Sequence, residues 1–163
     1  ADGLGNSQEP LNYLHLCIAA GASMVAQVSP AYPKVFFQVM EKALQCKETA
    51  IIFVPAPCIT GWKFEDGEMM KLAKLGAETG FFPVFVKEKG QKGSVKFLSN
   101  NPDERTPIEE YMGPQRRFQH LVIQDKATGK YVVKPGAEAH FNKLKEVVNK
   151  GVENLFKIAE LDL

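Results

Sequence analysis

The chain is poor in the residues that announce a scaffold or a membrane. Among 163 residues there are three cysteines, Cys17, Cys46 and Cys58, an odd number at wide spacings with no C-x-x-C pair. A disulfide framework is therefore not expected, and the thiols suit a reducing compartment. No charge of one sign predominates: 20 Lys and Arg face 19 Asp and Glu, a formal net charge of +1. The electrostatic footprint of a nucleic-acid binder is missing. The longest apolar runs, Ala50–Pro57 and Phe81–Val86, fall far short of the roughly 18 residues a membrane span needs. The opening residues show no basic-then-apolar export pattern. Three isolated histidines, His15, His120 and His140, offer no H-x-x-x-H or His–Cys pair, so neither a metal site nor a catalytic histidine is supported by spacing. The chain begins with Ala1, and processing or a longer parent polypeptide is the expectation.

What remains is an ordinary globular composition, 45% hydrophobic and 24% charged, with enough chain for one core. The first 90 residues alternate between two periods. Leu11, Leu14, Cys17 and Ile18 recur at helical spacing, and Gly21 offers a stop. Ser23–Val28 suits a strand, and Lys34–Gln45 a helix with Val35, Val39 and Leu44 inward, together with parts of Phe36 and Met40. Ala50–Val54 is an uncharged, β-branched run of the kind buried on both faces of a parallel sheet. It stops at Pro55 and Pro57, which cannot donate to a ladder. A helix over 67–79 and a strand from Phe82 to Val86 follow. The expected fold is α/β, a parallel sheet with helices on both faces.

From 91 onward the texture changes to an extension. It holds an edge strand at Ser94–Leu98 and a short helix at Pro107–Met112, for which Thr106 and Glu109 have capping-box spacing. Two strands flank the turn-rich Asp125–Lys130, and Ala137–Leu161 forms a long amphipathic helix. The division expected is thus an α/β core over 1–90 and an extension over 91–163.

The glycine-containing opening, Asp2-Gly3-Leu4-Gly5-Asn6, fits neither a dinucleotide loop nor a Gly-Asp-Gly magnesium–diphosphate motif. Residue 1 is Ala, and Val28 and Ser29 stand where the downstream Asn belongs. Cys58 differs from the other cysteines in its setting. It follows a strand at the carboxyl end, where open sheets place their ligands, on a corner stiffened by two prolines. A soft thiolate in fixed geometry suits an iron–sulfur cluster; a half-buried free cysteine is the plain alternative. Cys17 and Cys46 fall on helices, where core packing is expected.

Six segments stand in order along the chain: Ala19-Ala-Gly-Ala22, Ser29-Pro-Ala-Tyr-Pro33, Phe53-Val-Pro-Ala-Pro-Cys58-Ile-Thr-Gly-Trp62, the run from Met70 to Phe85, Thr106-Pro-Ile-Glu-Glu-Tyr111 and Pro114-Gln-Arg-Arg-Phe118-Gln-His120. From Asn6 to Leu121 they resemble the β subunit of pyruvate:ferredoxin oxidoreductases, members of the 2-oxoacid:acceptor oxidoreductase family, with Arg116 where the family has Gly. The resemblance implies half of a thiamine-diphosphate-binding domain within a multisubunit enzyme. Such an enzyme oxidatively decarboxylates a 2-oxoacid, passes electrons through 4Fe-4S clusters to ferredoxin and delivers the acyl group to coenzyme A. The hard chemistry is the cofactor's. Cys58 matches a fourth cluster ligand, and Thr60 and Gly61 are candidates for lining the cofactor or cluster pocket. No catalytic residue is assigned in this chain. The other three cluster cysteines and the Mg2+–thiamine diphosphate motif belong to an amino-terminal half that this sequence lacks. Val122–Leu163 shows no match, and its long helix is expected to dock on another subunit or on the domain's own sheet. The alternatives are a non-catalytic assembly module and a subunit for another 2-oxoacid. The family implies the cytoplasm of an anaerobe.

Overall fold

The computed structural model describes residues 11–161, so the glycine-containing opening and the first residues of the resemblance lie outside it. The order is α1 (Tyr13–Ala19), β1 (Met24–Gln27), α2 (Pro33–Gln45), β2 (Ala50–Phe53), α3 (Ile59–Trp62), α4 (Met69–Glu78), β3 (Val84–Glu88), β4 (Ser94–Lys96), α5 (Ile108–Met112), β5 (Val122–Gln124), β6 (Tyr131–Val133) and α6 (Glu138–Glu160). The main sheet has strand order β2-β1-β3-β4, and β5 and β6 form a separate hairpin.

The α/β layering follows from period-two alternation in β1. Val25 turns to one face and packs with Leu14 and Ile18 of α1, Phe85 of β3, and Leu155, Ile158 and Ala159 of α6. Met24, Ala26 and Val28 turn to the other face, against Val39 of α2 and Val86. Helices cover both faces, as the alternation of elements predicts.

The α/β class holds, but the expected parallel sheet is a mixed one. β1 and β2 run parallel, Met24 opposite Ala50, but β3 is antiparallel to β1, with Gln27 opposite Phe85, and β4 is antiparallel to β3. α4 touches the carboxyl end of β1, where Ser29 Oγ donates to the Ala73 carbonyl at 2.9 Å, and β3 begins beside that end, with Phe85 opposite Gln27. The chain therefore rejoins the sheet from the end at which β2 left it. β3 adds to the far side of β1, so β2 is left at the edge and is half-buried throughout rather than enclosed on both faces.

Gly80 marks this reversal. Its φ is +88°, and a Cβ there would stand 2.7 Å from Val152 Cγ2, so both backbone and space demand glycine. In α2 the inward stripe is Val35, Phe36, Val39 and Ala43, whereas Leu44 is 87% exposed. One residue beyond Ala43 is a further 100° around the helix, and that rotation turns Leu44 outward. The short helix α5 starts at Ile108 with Pro107 in the cap position and no side-chain cap bond. The capping box expected from Thr106 does not form.

A third cluster joins Phe64 and Leu72 to Ile108, Tyr111 and Met112 of α5, to Leu121 and Val122, and to Phe141 and Val148 of α6. The first half of α6 thus seals this cluster, while its second half lies on the sheet through Leu155, Ile158 and Ala159. Of the two dockings expected for the long helix, on another subunit or on the domain's own sheet, the second is seen for this half.

Candidate functional site at the Cys58 corner

After Phe53 the chain cannot extend β2, because Pro55 and Pro57 carry no N–H. Cys58 then caps α3. Its backbone is extended (φ −107°, ψ 109°), and its Sγ accepts the Gly61 N–H at 3.3 Å. The Trp62 N–H donates to the Cys58 carbonyl and the Lys63 N–H to the Ile59 carbonyl, both at 2.8 Å. Lys63 ends the turn in the left-handed region with φ 55°. The result is a single tight turn that presents an exposed, free thiol. Thr60 and Gly61 are exposed beside it. A Cβ on Gly61 would lie 3.3 Å from Sγ, so glycine leaves the sulfur room to accept the backbone bond.

Beneath this turn sits a second, distant segment. The Arg117 guanidinium lies 4.0 Å from the centroid of the Trp62 ring and 4.6 Å from that of Phe118. Its Nε donates to Gln115 Oε1 at 2.8 Å and its Nη2 to the Tyr111 hydroxyl at 3.2 Å. Gln115 is fully buried and donates through Nε2 to the Tyr111 carbonyl. The Arg116 N–H donates to the Lys63 carbonyl at 3.1 Å. Trp62 also stacks on Phe82, at 6.2 Å and 11°, and meets Tyr111 edge-on. Two of the sequence elements that carry the resemblance, 58–62 and 114–120, therefore meet in one structural unit.

Electrostatics here are set by burial. Desolvation raises the Tyr111 phenol to about 12, against a smaller opposing pull from Arg117. Desolvation likewise lowers Arg117, with the Tyr111 oxygen acting the other way. Among the described residues Arg117 makes no ion pair; aromatic faces and neutral oxygens take the place of a carboxylate.

The space under the corner is small. A cavity of about 10 Å3 lined by Ser29, Pro55, Pro57, Trp62 and Tyr111, among others, has room for about one water. A roomier groove of about 360 Å3 lies between α1, residues 80–83 and α6, and none of the 55–62 residues line it. Among the described residues no group of three or more His, Cys, Asp or Glu stands together as a metal site. Cys58 is exposed, on a stiff corner, and accepts an N–H at sulfur, so it could supply one thiolate to a cluster whose other ligands lie elsewhere. Cys17 and Cys46 pack against separate clusters of the core, and the three histidines are exposed and apart. Sequence reasoning left Tyr111, Gln115 and Arg117 without a role. The motif string contains them, but nothing in it says that Arg117 folds inward while Arg116 stays exposed.

No family model matches the chain. Among curated proteins, it is similar to the pyruvate synthase subunit PorB of Methanothermobacter thermautotrophicus, 32% identical over 126 residues, which is 77% of this chain and 42% of that protein. Ketoisovalerate oxidoreductase subunit VorB of Pyrococcus horikoshii is 33% identical over 122 residues, 74% of this chain and 38% of that protein. PorB of Thermotoga maritima is 27% identical over 157 residues, 96% of this chain and 44% of that protein. A match of that extent takes in the tail after Leu121, where the sequence alone showed no likeness. The chain spans about two fifths of the length of these relatives. Over most of its own length, this chain is a homologue of the PorB and VorB subunits of 2-oxoacid oxidoreductases.

Proposed function

We propose that this chain is the carboxy-terminal part of the β subunit of a 2-oxoacid:ferredoxin oxidoreductase of the pyruvate synthase type, inactive alone. The observation that carries the proposal is the Cys58 corner: an exposed thiol at the cap of a tight turn, seated on residues from the second motif. Similarity to PorB over three quarters of the chain supports it. In this reading Cys58 is one thiolate of a 4Fe-4S cluster whose other ligands come from further polypeptide, and Thr60 and Gly61 line the cluster or cofactor pocket. Thiamine diphosphate with Mg2+, bound by that further polypeptide, supplies the electron sink for decarboxylation. With those groups bound, such an enzyme would release the carboxylate of the 2-oxoacid as carbon dioxide, pass the acyl group to coenzyme A and hand the electron pair to ferredoxin. This chain's own part is to hold a sulfur ligand in place and exclude water behind it with the Trp62, Phe82 and Tyr111 rings. We place the complex in the cytoplasm, which the free cysteines favour; no helix of the described residues is long and apolar enough to cross a membrane.

The test is Cys58→Ala in the assembled enzyme. Loss of one cluster's iron and of its paramagnetic signal is the expected result. Full iron content with an unchanged electron-transfer rate sinks the reading and leaves a non-catalytic assembly module in its place. A second reading concerns the substrate. Some relatives are named ketoisovalerate oxidoreductase, so a branched-chain 2-oxoacid competes with pyruvate. The ratio of kcat/KM for the two acids decides between them.

A further inference from the structure

We propose that Arg117 is a positioning residue for the Cys58 corner, a cationic clamp that holds the turn 58–63 in the conformation that aims the thiol outward. The turn has few means of holding itself. It is four residues long, ends in a left-handed non-glycine residue, Lys63, and has prolines on its other side. A short helix in water is not stable by its own hydrogen bonds, and left-handed backbone at a lysine works against it.

Besides the Phe82 ring stacked on Trp62, what opposes unwinding is a set of contacts from the 111–118 segment. The Arg117 guanidinium covers the Trp62 ring at 4.0 Å, and Trp62 donates its amide to the Cys58 carbonyl. The guanidinium is oriented by two acceptors, Gln115 Oε1 and the Tyr111 hydroxyl, and Gln115 is itself anchored to the Tyr111 carbonyl. Arg116 completes the grip by donating its backbone N–H to the carbonyl of Lys63. A planar group with donors in a fixed fork can do both tasks, stacking and bonding in two directions at once; an ammonium cannot. This holding role concerns the backbone of the chain, while its bearing on electron transfer rests on the reading of Cys58 given above.

Amide hydrogen exchange in the assembled enzyme tests the clamp. In Arg117→Met the Trp62 and Lys63 amides are expected to exchange roughly tenfold faster, while the amides of β1 and β3 keep their wild-type rates. Arg117→Lys, which keeps a cation over the ring and loses the fork, is expected to fall between the two. Should Arg117→Met fail to assemble, Arg117→Lys and Trp62→Phe carry the same comparison. Unchanged exchange at residues 58–63, or acceleration spread evenly over the sheet, overturns the proposal. In the iron-loaded enzyme Arg117→Met is expected to retain its iron but alter the line shape of the cluster signal, as a displaced ligand would. Cys58→Ala that keeps its iron removes the functional reading and leaves the exchange result untouched, so the two failures are distinguishable.

Discussion

Tyr111 shows how one buried hydroxyl ties pH to stability. Its ring is wholly enclosed by Phe81, Phe118 and Trp62, and burial holds its phenol at about 12 against an ordinary value of 10. In the unfolded chain the proton leaves near 10, so above that pH the folded state binds more protons than the unfolded one. The stabilising contribution is complete below pH 10 and is lost as pH rises toward 12. The expected loss over that window is roughly 2–3 kcal/mol. Tyr111→Phe should flatten the decline, measured by urea unfolding at pH 9, 10 and 11. At pH 7 the same variant should cost about 1 kcal/mol, because Arg117 loses one acceptor.

At the scale of the element, α2 divides into faces of unequal consequence. Val39 is 3% exposed against the sheet, whereas Phe37 is 69% and Leu44 87% exposed. Leu44→Ser is expected to change stability by no more than about 0.5 kcal/mol, while Val39→Ala should cost about 1–3 kcal/mol through lost burial and a residual cavity. Thermal unfolding of the two variants checks the contrast. A large loss in Leu44→Ser would mean that the outer face is covered in the assembled protein. The element scale also explains why the sheet is mixed. A helix between two strands implies a parallel pair only when it carries the chain back to the opposite end of the sheet, and after α4 the chain re-enters at the carboxyl end of β1, with Phe85 opposite Gln27.

On the scale of the whole molecule, α6 joins cores that would otherwise be separate. Phe141 and Val148 close the cluster around α5, and Leu155 and Ile158 close the one on the sheet. Lys87, buried in β3, adds a polar tie by donating to the Leu161 carbonyl just past the end of α6. Leu155→Ala should therefore cost about 2–5 kcal/mol. Because the helix is continuous, the region around Tyr111 should melt together with the sheet. Near-ultraviolet and far-ultraviolet circular dichroism are expected to give one coincident transition; two separated transitions would show that the cores unfold independently.

Short-range patterning determined a great deal on its own. The positions of α1, α2, β1, β2 and α6, the break at Pro55 and Pro57, and the odd setting of Cys58 were all legible, because periodicity and proline chemistry act within a few residues. The motif residues 58–62 and 114–120 were legible as strings. Only the tertiary structure decided that these strings touch, that Arg117 and not Arg116 turns inward onto Trp62, and that β3 runs against β1. The physical reason is common to all three. Each depends on where a chain segment returns in space, and that is set by the burial of residues tens of positions away, on which local spacing carries no information.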